Sequence, residues 1–254
     1  MHHPGGLGVE VVLDLSGHQL LVRTTNGQER RMVLEPRSVA DFHGEFRAHL
    51  GDLGVDVPLY GRPVEVADAV PFAEDHEHAS YDADAVHRFW TSLVSAHRVL
   101  SVFRGRWRGK ASPVHFFWGA FDLATTRFSG RAAAPHPGGV PNCPDWVMAE
   151  AYSQEVSSCG YWPGGASEGA FYAYTYPEPT GYRQHPVEPA TATFDEALGE
   201  FLLPYADVRT AADPDELLLR FLTSTHDAAA AAGRWPEPVT GPAPTGPRAA
   251  AAPD

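Results

Sequence analysis

The stretch Val9 to Leu34 reads VEVVLDLSGHQLLVRTTNGQERRMVL. Its three β-rich runs, Val9 to Leu15, Gln19 to Thr25 and Gln28 to Leu34, are separated by Ser16-Gly17-His18 and by Asn26-Gly27, and Asn-Gly is the strongest two-residue hairpin signal. The chain therefore opens as an antiparallel meander. Ser38 with Asp41 three residues on resembles a capping box, and Val39, Phe42, Phe46, Leu50 and Leu53 recur at helical spacing before Gly54. That pattern predicts an amphipathic helix packed on the meander. Val55 to Val66 (VDVPLYGRPVEV) reads as an edge strand broken by Pro58 and Pro63, and residues 67–81 as an acidic connecting loop.

From Asp82 the pattern turns helical. Val86, Trp90, Leu93, His97 and Leu100 fall on one face at 100° per residue, which predicts a long helix with a histidine on its buried side. Ser112 to Arg131 (SPVHFFWGAFDLATTRFSGR) is strongly β-prone and aromatic, and residues 132–144 form a loop rich in Pro and Gly. Residues 145–162 fit helix or strand equally, Ala170 to Tyr176 (AFYAYTY) alternates as a strand, and Phe201 to Leu203 suits another short one. Asp213-Pro214-Asp215-Glu216 supplies an N-cap, Pro at the first helical position and early acids, with Leu218, Phe221, Leu222 and Thr225 on one face of the helix that follows. The predicted fold class is α+β, with largely antiparallel sheet packed by about three helices. Three segments are expected: a hairpin, helix and strand subdomain at 9–66, an aromatic β-rich subdomain at 82–232 packed with it as one compact domain, and a disordered Pro/Ala-rich tail at 233–254.

A chain of 254 residues with 43% hydrophobic and 20% charged residues has enough material to bury a core, which excludes disorder as its main state. Its formal charge of −13 repels phosphate backbones and anionic lipid heads, so nucleic acid and membrane surface are not expected partners. No apolar run reaches the roughly 18 residues of a membrane span, and the first residues lack signal-peptide character, so a cytoplasmic location is expected. Cys143 and Cys159 form no C-x-x-C pair and are expected to be reduced.

Val114 to Asp122 (VHFFWGAFD) carries ionisable groups on a strand apolar enough to be buried, and such groups are costly unless paired or functional. In one continuous strand, alternation separates His115 from Asp122, so a bulge at Gly119 is needed to bring both into one pocket. The functional expectation is an enzyme acting on a small molecule, anionic in one version. His115, Glu155 and Asp122 are its acid/base candidates. Arg127, Arg131, Trp118, Tyr152, Ser157 and His136 are its substrate-binding candidates, and all should converge on one cavity. His115, His136 and Glu155, with Asp122 and His76-Glu77-His78, are also the ligand types of a divalent metal such as zinc or iron, although no H-E-x-x-H spacing supports that cofactor. Tyr172, Tyr174 and Tyr176 line one strand face, where packing against a helix competes with a stacking role. Gly165-Ala166-Ser167-Glu168-Gly169 matches G-x-S-x-G without the strand-turn-helix context of a nucleophile elbow. The rival to the enzyme is a non-catalytic ligand-binding or assembly module using an exposed apolar patch.

The block Ser112 to Arg131, with His136 to Asn142 (HPGGVPN), Tyr152 to Ser158 (YSQEVSS), Phe171 to Pro179 (FYAYTYPEP) and Gly199 to Tyr205 (GEFLLPY), resembles the bacterial family DUF5996, a domain of unknown function. The likeness runs from the first hairpin to the last helix and implies no activity. Members of that family usually carry a further N-terminal helix and a Trp/His-rich strand before the first hairpin. The resemblance therefore implies an open sheet edge at Val9, and with it either a homo-oligomer paired through that edge or a marginally stable fold.

Overall fold

A computed structural model describes residues 6–164 and 168–236. The first three residues of the G-x-S-x-G match, Gly165 to Ser167, and nearly all of the Pro/Ala-rich tail lie outside those residues. Among the described residues the chain forms two compact units, 6–95 with 138–145, and 96–137 with 146–236.

In the first unit, β1 (Val9–Asp14), β2 (Gln19–Thr24) and β3 (Glu29–Val33) form an antiparallel sheet in the order β1-β2-β3. Gly27, with φ of 86°, makes the second turn, as the Asn-Gly pair demands. Leu20, Val22 and Met32 alternate onto one face and are buried with Leu50, Leu53 and Val55 from α1 (Val39–Asp52) and its exit. Ser38 caps α1 by accepting from the backbone N–H of Asp41 at 3.1 Å. Residues 55–66 contain no strand. Two prolines remove ladder donors there, and Glu65 takes a φ of 64°, so the expected edge strand does not form.

The helix α2 (Ala83–Gly105) is present, with its buried side rotated from the expected one. Ser92, Ala96, Val99, Leu100 and Phe103 are buried, whereas Trp90 and His97 are exposed.

The second unit is built on a six-stranded antiparallel sheet in the order β4-β5-β6-β7-β9-β8. Its strands are β4 (His115–Phe117), β5 (Asp122–Ala132), β6 (Gln154–Trp162), β7 (Ala170–Tyr176), β8 (Thr193–Asp195) and β9 (Glu200–Pro204). The aromatic segment expected as one strand folds back on itself through a turn at 118–121, where Phe121 has a φ of 61°. The segment left open between helix and strand divides into a short α3 (Asp145–Ala151) and β6. A second short helix, α4 (Tyr205–Arg209), follows β9, and α5 (Pro214–Gly233) closes the unit, with Asp213 accepting from the N–H of Glu216 at 3.0 Å. The result is an α+β fold with five α-helices among the described residues, two of them too short to leave a periodic signal.

Side chains alternate across the sheet. Leu123, Phe171, Phe201 and Leu203 point to the back face, where Leu218, Phe221 and Leu222 of α5 complete the core. The front face carries the polar groups described next.

Candidate functional site

Cross-strand register gathers the front-face residues into rows. One row contains Phe117 opposite Asp122, with Trp162 one position beyond the Leu123–Tyr161 pair. The next contains His115, Ala124, Gly160, Tyr172 and Leu202. The third contains Thr126, Ser158 and Tyr174, and the same register sets Glu200 beside Tyr174 and opposite Asp195. The hairpin turn, rather than a bulge, puts His115 and Asp122 on one face, because folding the strand back resets the alternation between them.

Tyr172 donates to Oδ2 of the buried Asp122 in a short hydrogen bond. To reach it, the phenol crosses Gly160, where a Cβ would lie 2.7 Å from the Tyr172 oxygen. Glycine is therefore required at that crossing. Below this pair runs a chain of hydroxyls. Thr126 Oγ1 lies 2.9 Å from Ser158 Oγ, Ser158 bonds to Tyr174, and the Tyr174 hydroxyl is 2.9 Å from that of Tyr152. His136 stacks on Tyr152 at 4.9 Å, and Tyr176 meets the same ring edge-on at 4.8 Å.

Burial dominates the electrostatics. It pushes the Glu200 carboxyl up to about 7, with the negative charges of Asp122 and Asp195 adding to the effect. Asp122 is also raised by burial, against the opposing pull of the Tyr172 hydrogen bond and of nearby His115. Tyr172 and Tyr174 are held well above the usual phenol range, again by burial first, so they remain neutral donors. Neither carboxyl is paired with Arg or Lys among the described residues. The face thus joins two acids raised by burial, Asp122 and Glu200, to a set of fixed hydroxyls.

The other sequence candidates lie elsewhere, and the expected single cavity does not form. Arg127 and Ser157, opposite each other in register, point to the back face. The Arg127 guanidinium lies 3.5 Å over the Phe103 ring and donates to the Phe103 carbonyl at 2.6 Å, with its Nε unpartnered. Burial lowers it to about 10, which leaves it charged at neutral pH. Ser157 Oγ lies 3.3 Å from Nδ1 of His226, a histidine that burial and the Arg127 charge push down to about 3. Arg131 binds Glu155 at 2.6 Å and donates to the carbonyls of Gly233 and Arg234, tying down the C-terminal end of α5. Trp118 sits exposed in the β4–β5 turn, its ring against Phe116. The sheet thus collects His115, Asp122, Tyr152 and His136 and separates them from Arg127, Arg131, Glu155, Ser157 and Trp118. The two arginines expected to anchor an anion are therefore committed to the back face and to a helix end. His115, His136 and Glu155 are not gathered as metal ligands either, since no group of three or more His, Cys, Asp or Glu able to hold a metal ion occurs among the described residues.

Several members of the site escaped sequence reasoning, Glu200, Tyr172 and Tyr174 among them. Glu200 follows Gly199 at the start of a strand too short to mark which face it presents. Tyr172 and Tyr174 were visible as an aromatic row, but pairing them with Asp122 and Ser158 requires the register of three strands.

No helix among the described residues is long and apolar enough to cross a membrane. A family of unknown function (DUF5996) matches the chain over residues 1–240. No curated protein and no solved structure matches it.

Proposed function

The chain belongs to the family of unknown function DUF5996, and on that premise, with activity to be argued from its own side chains, we propose that it is an enzyme. Its front face binds a small molecule and moves a proton on it. One observation carries this reading: Asp122 and Glu200 share a sheet face, both raised by burial, with Asp122 accepting from the Tyr172 hydroxyl and Glu200 across from Tyr174 in register. Acids set into a sheet face in this way, Asp122 buried and Glu200 partly buried, cost stability, and a carboxyl near 7 is half ionised at working pH, the condition under which general acid/base catalysis is most effective.

In this reading Glu200 is the proton acceptor and donor. Asp122, held by Tyr172, fixes the second polar contact, and Tyr174 with Ser158 and Tyr152 relays or orients hydroxyl hydrogens. His115 borders the same row. The front face lacks the arginines that the anionic version of the substrate required, so the substrate proposed here is neutral or cationic.

The test follows turnover directly. Purified protein is incubated with a protein-free extract of small metabolites, and proton NMR is recorded over time for the wild type and for Glu200→Gln. The expected result is consumption of at least one metabolite, slowed by about 10²-fold or more in the variant, with thermal melts showing both proteins folded. A folded Glu200→Gln variant that consumes the same metabolite at the wild-type rate contradicts the assignment.

A further inference from the structure

On the front face, the row Phe117, Asp122, Trp162 places a nearly buried carboxyl, 6% exposed, between two aromatic side chains that remain 45% and 42% exposed. Directly opposed side chains on one sheet face stand about 5 Å apart, so both rings lie within reach of anything that touches the acid. Phe117 meets the His115 ring at 4.3 Å, which leaves its other surface unassigned by any ring contact among the described residues. An acid that is kept from water and lacks an Arg or Lys partner, set between exposed π faces, is complementary to a group that is positively charged, donates hydrogen bonds and has apolar flanks.

Resting on the front-face reading above, we infer that the ligand carries a protonated amine, which donates to Asp122 between the faces of Phe117 and Trp162. The ammonium adds a hydrogen-bonded countercharge to the weaker pull of nearby His115, and its attached carbon body covers the two rings. Cations are attracted to the faces of Trp and Phe rings, and an ammonium-to-carboxylate hydrogen bond is stronger than a neutral one. An anion is disfavoured at the same place by Asp122, Glu200 and Asp195 together. A neutral alcohol could donate to Asp122 but would leave the charge unanswered.

Benzylamine, benzyl alcohol and benzoate share a ring and differ in charge, which makes them suitable probes. Their affinities for the full chain, read from chemical shift changes of tryptophan and tyrosine side chains, are expected to rank benzylamine first and benzoate last. Asp122→Asn, which keeps the shape, should weaken benzylamine by about 10- to 100-fold. Phe117→Ala and Trp162→Ala, at exposed positions that folding tolerates, should each weaken it by about two- to fivefold. If benzyl alcohol or benzoate binds as tightly as benzylamine and Asp122→Asn still reduces that binding, the amine is overturned while the front-face site stands. If no probe shifts a front-face resonance, or if Asp122→Asn changes nothing, both the inference and the site beneath it fail.

Discussion

Glu200 and His226 titrate in opposite senses, and the difference can be read in stability. His226 is held neutral, with its value pushed from 6.5 to about 3, so the unfolded chain binds the proton first and stability is lost as pH falls below 6.5. Glu200 is raised from 4.5 to about 7, so the folded state binds the proton first and stability is gained as pH falls from 7 toward 4.5. Asp122, also raised, acts in the same direction as Glu200. Thermal melts between pH 7 and 4.5 should therefore show a steeper acid loss in Glu200→Gln than in the wild type and a shallower one in His226→Gln. Parallel pH profiles for all three proteins would sink the assignment of either group. At this scale the sequence was informative about chemistry and silent about neighbours: His115 and Asp122 were recognisable as out of place on an apolar strand, while Glu200 carried no such mark.

Secondary structure is where patterning succeeded and register escaped it. The meander, α1 and α5 follow from Asn26-Gly27, the cap at Ser38 and the Asp213-Pro214 start, because each is set by a few adjacent residues. The β4–β5 turn has no comparable signal: Trp118-Gly119-Ala120-Phe121 is apolar, and its left-handed residue is a phenylalanine. The strand consequently read as continuous, which put His115 and Asp122 on opposite faces. Two substitutions test the elements that hold the site. Gly160→Ala places a methyl against the Leu123 carbonyl and the Tyr172 phenol. It should destabilise the fold by about 1–3 kcal/mol and lift Tyr172 off Asp122, visible as a changed Tyr172 resonance. Arg131→Ala removes the bonds to the carbonyls of Gly233 and Arg234 that secure the end of α5. A loss of about 1–2 kcal/mol is expected, with faster amide exchange confined to the last turns of that helix; unchanged exchange there would show that the end holds without it.

Across the whole molecule, a formal charge of −13 and a front face whose acids lack an Arg or Lys partner among the described residues both disfavour an anionic ligand there, in keeping with the proposed neutral or cationic one. The three-stranded sheet ends in β1 on one side and β3 on the other, and Val11 and Val33 on those edges are exposed. Edge pairing of two copies through β1 is the expected route to an oligomer. Size-exclusion chromatography with light scattering should then give a mass that rises with concentration and returns to the monomer in Val11→Lys; a monomer at every concentration contradicts this. The site itself is tested most directly by carbon-13 NMR of the Asp and Glu side-chain carboxyls through a pH titration. The account predicts that Glu200 titrates near 7 and Asp122 above the ordinary aspartate range, and that Tyr172→Phe moves Asp122 higher still. Ordinary carboxylate titration at both residues would show two solvated acids and contradict a proton-handling site on this face.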